Sequence, residues 1–194
     1  MAKSLKGRRD GGPTFLDADF FARDTVTVAR ELIGTTLVVG SCKGRIVETE
    51  AYTTDAASHA VMRRNQAALM HDTFGHVYVY LIYGMYYCVN FTTEREGVGA
   101  VLIRAVEPVA GIEEMISRRG GADLKKLASG PGRLCQAFGI DARFNGSPVG
   151  REIKLIERPG VPQISSSPRI GITRATELEW RFCETANPFV SRLP

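Results

Sequence analysis

Apolar residues along this chain fall into two kinds of pattern. Two β-prone runs, Val77–Ile82 and Met85–Thr92, flank Tyr83-Gly84, where the glycine permits positive φ. They predict a hairpin. Thr35–Gly40 and Gly44–Tyr52 read as an earlier strand pair joined by a short Ser-Cys-Lys-Gly turn, and Gly99–Val106 as a further strand. Ile153–Glu157 and Arg169–Ile172 read as late strands, and Trp180–Cys183 as a short apolar closing segment. Helical spacing occurs elsewhere. Asp17 caps a short turn over Ala18–Ala22. Asp24 caps a helix from Thr25 to Ile33 that turns Val28, Leu32 and Ile33 inward and ends at Gly34. Val109–Arg119 carries the stripe Ile112, Met115, Ile116, and Ser129-Gly130-Pro131-Gly132 opens a helix that Gly139 closes. Consecutive strands on short turns require antiparallel pairing. The expected fold is therefore α+β: a single domain with a curved, largely antiparallel sheet flanked by helices and a protruding β-hairpin. Residues 53–76 lack a clean period, and a loop of that length inside a domain points to function or mobility.

Composition narrows this little. The 194 residues support one large domain, expected at 13–194, behind a disordered basic arm at 1–12. No apolar run reaches the roughly 18 residues of a membrane span, and the basic N-terminus lacks the apolar core of a secretory signal. The four cysteines are far apart and form no CxxC pair, so zinc-knuckle and thioredoxin readings fail; reduced thiols in a cytoplasmic protein are expected. Of the 25 basic residues only six are lysines. Arginine suits bidentate phosphate contacts, which favours a nucleic-acid partner, although genomic base composition explains the bias equally well.

The candidate chemistry lies in two segments. Five of the six tyrosines fall within Tyr78–Asn90. A tyrosine at a hairpin tip, Tyr83, suits a wedge into stacked bases, and a tyrosine-rich surface suits holding one base between aromatic faces. Upstream, Glu48, Glu50 and Tyr52 alternate along a strand and share a face. Such carboxylates are a general base with its neighbour, a two-carboxylate metal site, or a solvated edge-strand face, and spacing alone leaves all three open. His59 suits a hydrogen-bond reader or acid–base group, although a lone loop histidine is more often structural. His71 and His76 have no metal-ligand spacing with it or with the carboxylates. Asn90 can reject a base edge that does not match its amide, or can serve turn chemistry. Arg104, inside an apolar strand, needs a partner, expected to be a carboxylate. The Gly130-Pro131-Gly132-Arg133 helix start is a plausible phosphate seat or simply a capped helix. It lacks the Lys-Ser/Thr of a P-loop.

Taken together, Arg45-Ile-Val-Glu-Thr-Glu-Ala-Tyr52, Ser58-His59-Ala60, Tyr78–Asn90, Val101-Leu-Ile-Arg-Ala105 and Ser129-Gly-Pro-Gly-Arg-Leu-Cys-Gln-Ala137 resemble, in order and spacing, the alkyladenine (3-methyladenine) DNA glycosylases. The resemblance runs from about Phe15 to Glu157. It departs at Met70–His76, where His71 and Phe74 stand in place of an aromatic residue and a proline. It implies a monofunctional enzyme that flips a damaged purine out of duplex DNA and leaves an abasic site, without metal, cofactor or membrane, and as a monomer. It further implies Glu50 as general base, with Arg104 fixing the water and a nearby phosphate. Tyr52 and Tyr80 would stack on the flipped base, His59 would close the pocket, and Asn90 would crowd the amine of normal guanine. Tyr83 would fill the gap in the duplex. On residues alone, a metal-dependent hydrolase and a non-catalytic base-binding module stand beside it as rivals.

Overall fold

The computed structural model describes residues 12–62 and 67–192. Most of the expected arm at 1–12 lies outside these residues. The elements run α1 (Ala18–Phe21), α2 (Thr25–Leu32), β1 (Thr36–Val39), β2 (Cys42–Tyr52), α3 (His59–Met62), α4 (Ala68–Asp72), β3 (Val77–Ile82), β4 (Tyr86–Thr93) and β5 (Gly99–Ala110). They continue with α5 (Ile112–Arg118), α6 (Pro131–Phe138), β6 (Ile153–Ile156), β7 (Ile164–Ser167) and β8 (Arg181–Glu184). The strands form one antiparallel sheet in the order β3-β4-β5-β2-β1-β6, with β8 joining β2 and β7 joining β8. The α+β reading with a largely antiparallel sheet therefore holds.

The capping residues act as their chemistry dictates. Asp17 accepts from the Phe20 N–H at 3.2 Å and Asp24 from the Thr27 N–H at 2.8 Å, each satisfying a free amide of a helix start. α2 then lies on the sheet, where Thr49 donates to the Ala29 carbonyl at 2.8 Å. At Gly44 a Cβ would stand 2.8 Å from Val106 Cγ2 and 2.9 Å from Phe138 Cζ, so a glycine there lets α6 and β5 close over β2.

β2 is the strand that organises the molecule. β5 pairs along one edge; the other edge takes β1 in its first half and β8 at Glu48–Glu50. It is thus a central strand, which removes the solvated edge face from the three readings the spacing left open: Glu48 and Glu50 are both 0% exposed. The pairing with β5 shifts register between Ile46 and Glu48. Before the shift Cys42 and Ile46 face the main core; after it Ala51 does, together with Thr49 against α2. A bulge of one residue exchanges the faces. Here it turns Glu48, Glu50 and Tyr52 away from the apolar core.

Three segments differ from the sequence expectation. The β1–β2 turn is tighter, since Val39 pairs with Cys42 and only Gly40-Ser41 lie at the tip. β5 runs on to Ala110 and shortens α5, because Gly111, at φ +71, breaks the strand and precedes the helix. Arg169–Ile172 is a turn, and the late strand is Ile164–Ser167. Pro168 offers no ladder N–H and Gly171 sits at φ +77, so the chain cannot stay extended there.

Candidate active site

The face of the sheet opposite the core lines a cavity of about 420 Å³. That size is within the range of small-ligand pockets, about 300–1,000 Å³. Its walls come from Tyr52 on β2, Tyr78 and Tyr80 on β3, Asn90 on β4, Arg104 on β5 and His59 at the start of α3, with the turn after Arg169 closing one side. Period-two alternation selects these residues, while Val77, Val79, Val89 and Phe91 on the same strands turn to the core.

Glu50 lies behind this wall, bonded to three of the residues that line it. Its Oε1 accepts from the Ile170 N–H at 2.7 Å; its Oε2 accepts from the Tyr52 hydroxyl at 2.8 Å and from Arg104 Nη1 at 3.2 Å. Burial pushes its carboxyl above the usual carboxylate range, and Arg104, Ile170 and Tyr52 pull it back only in part. Burial, and then the Glu50 charge, raises the Tyr52 phenol, which stays a neutral donor. Arg104 also donates through Nε to Glu48 Oε1 at 3.1 Å. Glu48 accepts in addition from Arg181 Nε at 2.7 Å, the Ser191 N–H at 2.6 Å and the Ser191 hydroxyl at 2.9 Å. Two carboxylates and two guanidiniums thus alternate in a buried site. A cation bound by both carboxylates would have to displace Arg104 from each, which disfavours the two-carboxylate metal reading. Among the described residues no group of three His, Cys, Asp or Glu side chains forms a metal site.

The aromatic wall is interlocked. His59 Nδ1 is 3.1 Å from the Tyr78 hydroxyl, and its ring meets Tyr80 edge-on with centroids 4.4 Å apart. Tyr80 approaches Cys88, whose thiol burial pushes up to about 11, so Cys88 stays protonated and inert. Asn90 lies mid-strand rather than in a turn and spends its amide N–H groups on the Tyr78 carbonyl at 3.0 Å and the Cys88 carbonyl at 3.4 Å. Tyr83 is not in the cavity. It stands at the hairpin tip, 82% exposed, at φ +54 next to Gly84 at φ +68. Leu81, Met85 and Tyr86 are exposed around it.

The α6 start borders the same region. Pro131 lines the cavity, and a Cβ on Gly132 would stand 3.0 Å from Tyr86 Cβ. Gly130 precedes the helix without a side-chain cap, and exposed Arg133 turns back toward Ser129 at 3.3 Å.

Sequence reasoning missed several residues. Tyr78 carries no sequence signal that separates it from the other tyrosines of the hairpin, yet it bonds His59 in the wall. Asp55, Ile170, Arg181 and Ser191 carry no local motif and reach the site only through folding. Arg169 lies in a turn, not in the strand its sequence context suggests, and its guanidinium is buried against Tyr52, with Cζ 4.6 Å from the ring centroid. Within the 53–76 segment, α3 and α4 pack Ala60 and Met70 against Tyr78. His71 and His76 there bond to backbone carbonyls rather than to the site.

Comparison with known proteins agrees with this geometry. The family model described as "Methylpurine-DNA glycosylase (MPG)" matches residues 19–188. A protein of Chlorobaculum parvum named "Putative 3-methyladenine DNA glycosylase" is 46% identical over 190 residues, covering 91% of this chain and 90% of its own. Proteins with the same name from Nitrosospira multiformis (44% over 178 residues; 89% and 91% covered) and Rhodopseudomonas palustris (47% over 176 residues; 89% and 88% covered) are similar to it along the same length. With the family model spanning nearly all of the cavity wall and the acid–arginine array behind it, the chain belongs to the methylpurine-DNA glycosylase family.

Proposed function

We propose that this DNA glycosylase flips a damaged purine out of duplex DNA into the tyrosine-walled cavity and hydrolyses its N-glycosidic bond with water activated by Glu50. One observation carries the reading. A buried carboxylate with a raised pKa stands directly behind the wall of a purine-scale cavity, hydrogen-bonded to three residues that line it: Arg104, Tyr52 through its hydroxyl and Ile170 through its N–H. Departure of the base leaves an oxocarbenium-like sugar, which needs an anion and a poised water; one ionised carboxylate supplies both. Tyr52 and Tyr80 take the faces of the base, and such stacks are worth about 1–3 kcal/mol each. That offsets an extrusion cost of a few kcal/mol, smallest for damaged or mispaired bases. His59 closes the pocket beside Tyr80, and Asn90 crowds the exocyclic amine of normal guanine. Tyr83 enters the minor groove, and the free amides at the α6 start, with Arg133, seat a backbone phosphate. Lesions of this class are 3-methyladenine, 7-methylguanine, hypoxanthine and etheno-adenine. The enzyme is read as a cytoplasmic monomer.

The test is single-turnover excision in EDTA on duplexes that each hold one lesion, with alkali to reveal abasic sites. Alkali-dependent cleavage is expected from the wild type. Glu50→Gln should bind lesion DNA but excise about a hundredfold to ten-thousandfold more slowly, the range for removal of a positioned acid–base group. Near wild-type excision by that variant would sink the Glu50 assignment. Activity only when Mg²⁺ replaces EDTA would indicate a metal-dependent hydrolase, and binding without release would indicate a reader.

A further inference from the structure

The wall behind Tyr52 is built from charge. Arg169 is 4% exposed, and its Cζ lies 4.6 Å from the Tyr52 ring centroid and 5.3 Å from that of Trp180. It pairs with Asp55 through Nη2–Oδ1 at 2.7 Å and Nη1–Oδ2 at 3.2 Å, and Nη1 donates to the Ala51 carbonyl at 2.9 Å. The side chains of the pair are 0% and 6% exposed. Arg169 Nε is buried and makes no hydrogen bond, so the guanidinium is held by Asp55, the Ala51 carbonyl and the two aromatic rings. The next residue, Ile170, donates its N–H to Glu50. Asp55 also accepts from the N–H groups of Thr53 and Ala57 at 3.1 and 3.0 Å, which shapes the loop leading to His59. Folding therefore ties one stacking wall, the general base and the loop before His59 to a single buried ion pair.

We infer that the Asp55–Arg169 pair is a charge-balanced backing for Tyr52, a positioning element that sets how well the pocket accepts a cationic base relative to a neutral one. The inference rests on the stacking role given to Tyr52 above. A guanidinium behind the ring repels a positive base in front of it. Asp55 cancels that field. An unbalanced unit charge about 8 Å from the bound base, in a partly buried site, changes affinity by roughly tenfold or more. N7-methylation makes guanine cationic, whereas hypoxanthine and etheno-adenine are neutral, so lesion rank is the readout.

The experiment compares Asp55→Asn, Arg169→Gln, Arg169→Lys and the Asp55→Asn/Arg169→Gln double variant. Each is measured on duplexes with 7-methylguanine, etheno-adenine or a tetrahydrofuran abasic analogue. Affinity is read in the Glu50→Gln background and single-turnover excision with Glu50 intact; fluorescence of the single tryptophan, Trp180, reports on the fold at the pair. Asp55→Asn should lower the 7-methylguanine to etheno-adenine ratio about tenfold. Arg169→Gln should raise it, and the double variant should bring it back toward wild type. Arg169→Lys should keep the wild-type ratio at reduced rate, because lysine holds the charge but not the planar stack. Tetrahydrofuran affinity should stay near wild type throughout, since no base is there to stack. Equal losses on both lesions, with no opposite shifts between the single variants, would overturn the inference and leave a structural ion pair. A wild type that releases no base would end the glycosylase reading alone, because the affinity ratios still decide this one.

Discussion

Glu50 shows how far one residue's environment decides its chemistry. Its strand neighbour Glu48, two positions away, meets two guanidiniums and both donors of Ser191. Glu50 has one guanidinium, one hydroxyl and one amide, all arranged around a carboxyl whose burial raises its pKa. The general base works ionised, so activity should fall on the acid side through a pKa above the ordinary carboxylate value of about 4.3. The pH–rate profile on a neutral lesion such as etheno-adenine checks this without titration of the substrate; an acid limb at or below that value would contradict it. Asp55 has the opposite sign. Burial opposes its charge, but the Arg169 hydrogen bonds hold its carboxyl low. Its contribution to stability is therefore present above the unfolded carboxylate pKa and lost as pH falls through the folded one. The pairing of Arg104 with a carboxylate was legible in the sequence, since acid-x-acid-x-Tyr and an arginine in a β-branched run both violate ordinary core patterning. Arg169 was not legible, because its partners Asp55, Tyr52 and Trp180 are distant from it or hidden by ordinary spacing.

At the scale of elements, the hairpin and the bulged β2 do different work. The turn over Ile82–Met85 closes with the Met85 N–H donating to the Ile82 carbonyl at 3.2 Å, and it holds Tyr83 at positive φ. A left-handed conformation costs a non-glycine residue about 1–2 kcal/mol. In return the phenol projects from the tip. Tyr83→Ala keeps the Cβ and with it the backbone strain, so the fold should stay as it is, while binding to lesion duplex weakens by about tenfold and to single-stranded DNA far less. Titration of both substrates checks this, and equal losses would remove the wedge reading. The hairpin was readable from its two runs and Tyr83-Gly84. The register shift in β2 was not. Strict alternation predicts that Glu48, Glu50 and Tyr52 share a face, and they do; it does not say which face. The shift between Ile46 and Glu48 settles that, and it depends on how β5 pairs.

For the whole molecule, the two halves of the chain meet at the acid pair. Ser191 reaches Glu48 from 143 residues away, and β8 completes the edge of β2 beside it. Truncation after Val190 removes both Ser191 donors. An unsatisfied buried acceptor costs about 1–3 kcal/mol, so the shortened chain should unfold at lower denaturant. Excision should slow as well, because Glu48 holds Arg104 beside Glu50; unchanged stability and rate would show that the C-terminal segment does not support the site. Local alternation, caps and turn chemistry act over a few residues, so most of the helices and strands and their antiparallel pairing were legible in the sequence, but α3, α4 and β7 were not. The tertiary structure alone decided that β2 is central and buried, that Glu48 and Glu50 have different partners, and that Arg169 backs Tyr52. Those outcomes depend on which distant segments share a strand edge or a buried charge, and burial in low dielectric is what raises the pKa of a patterned carboxylate.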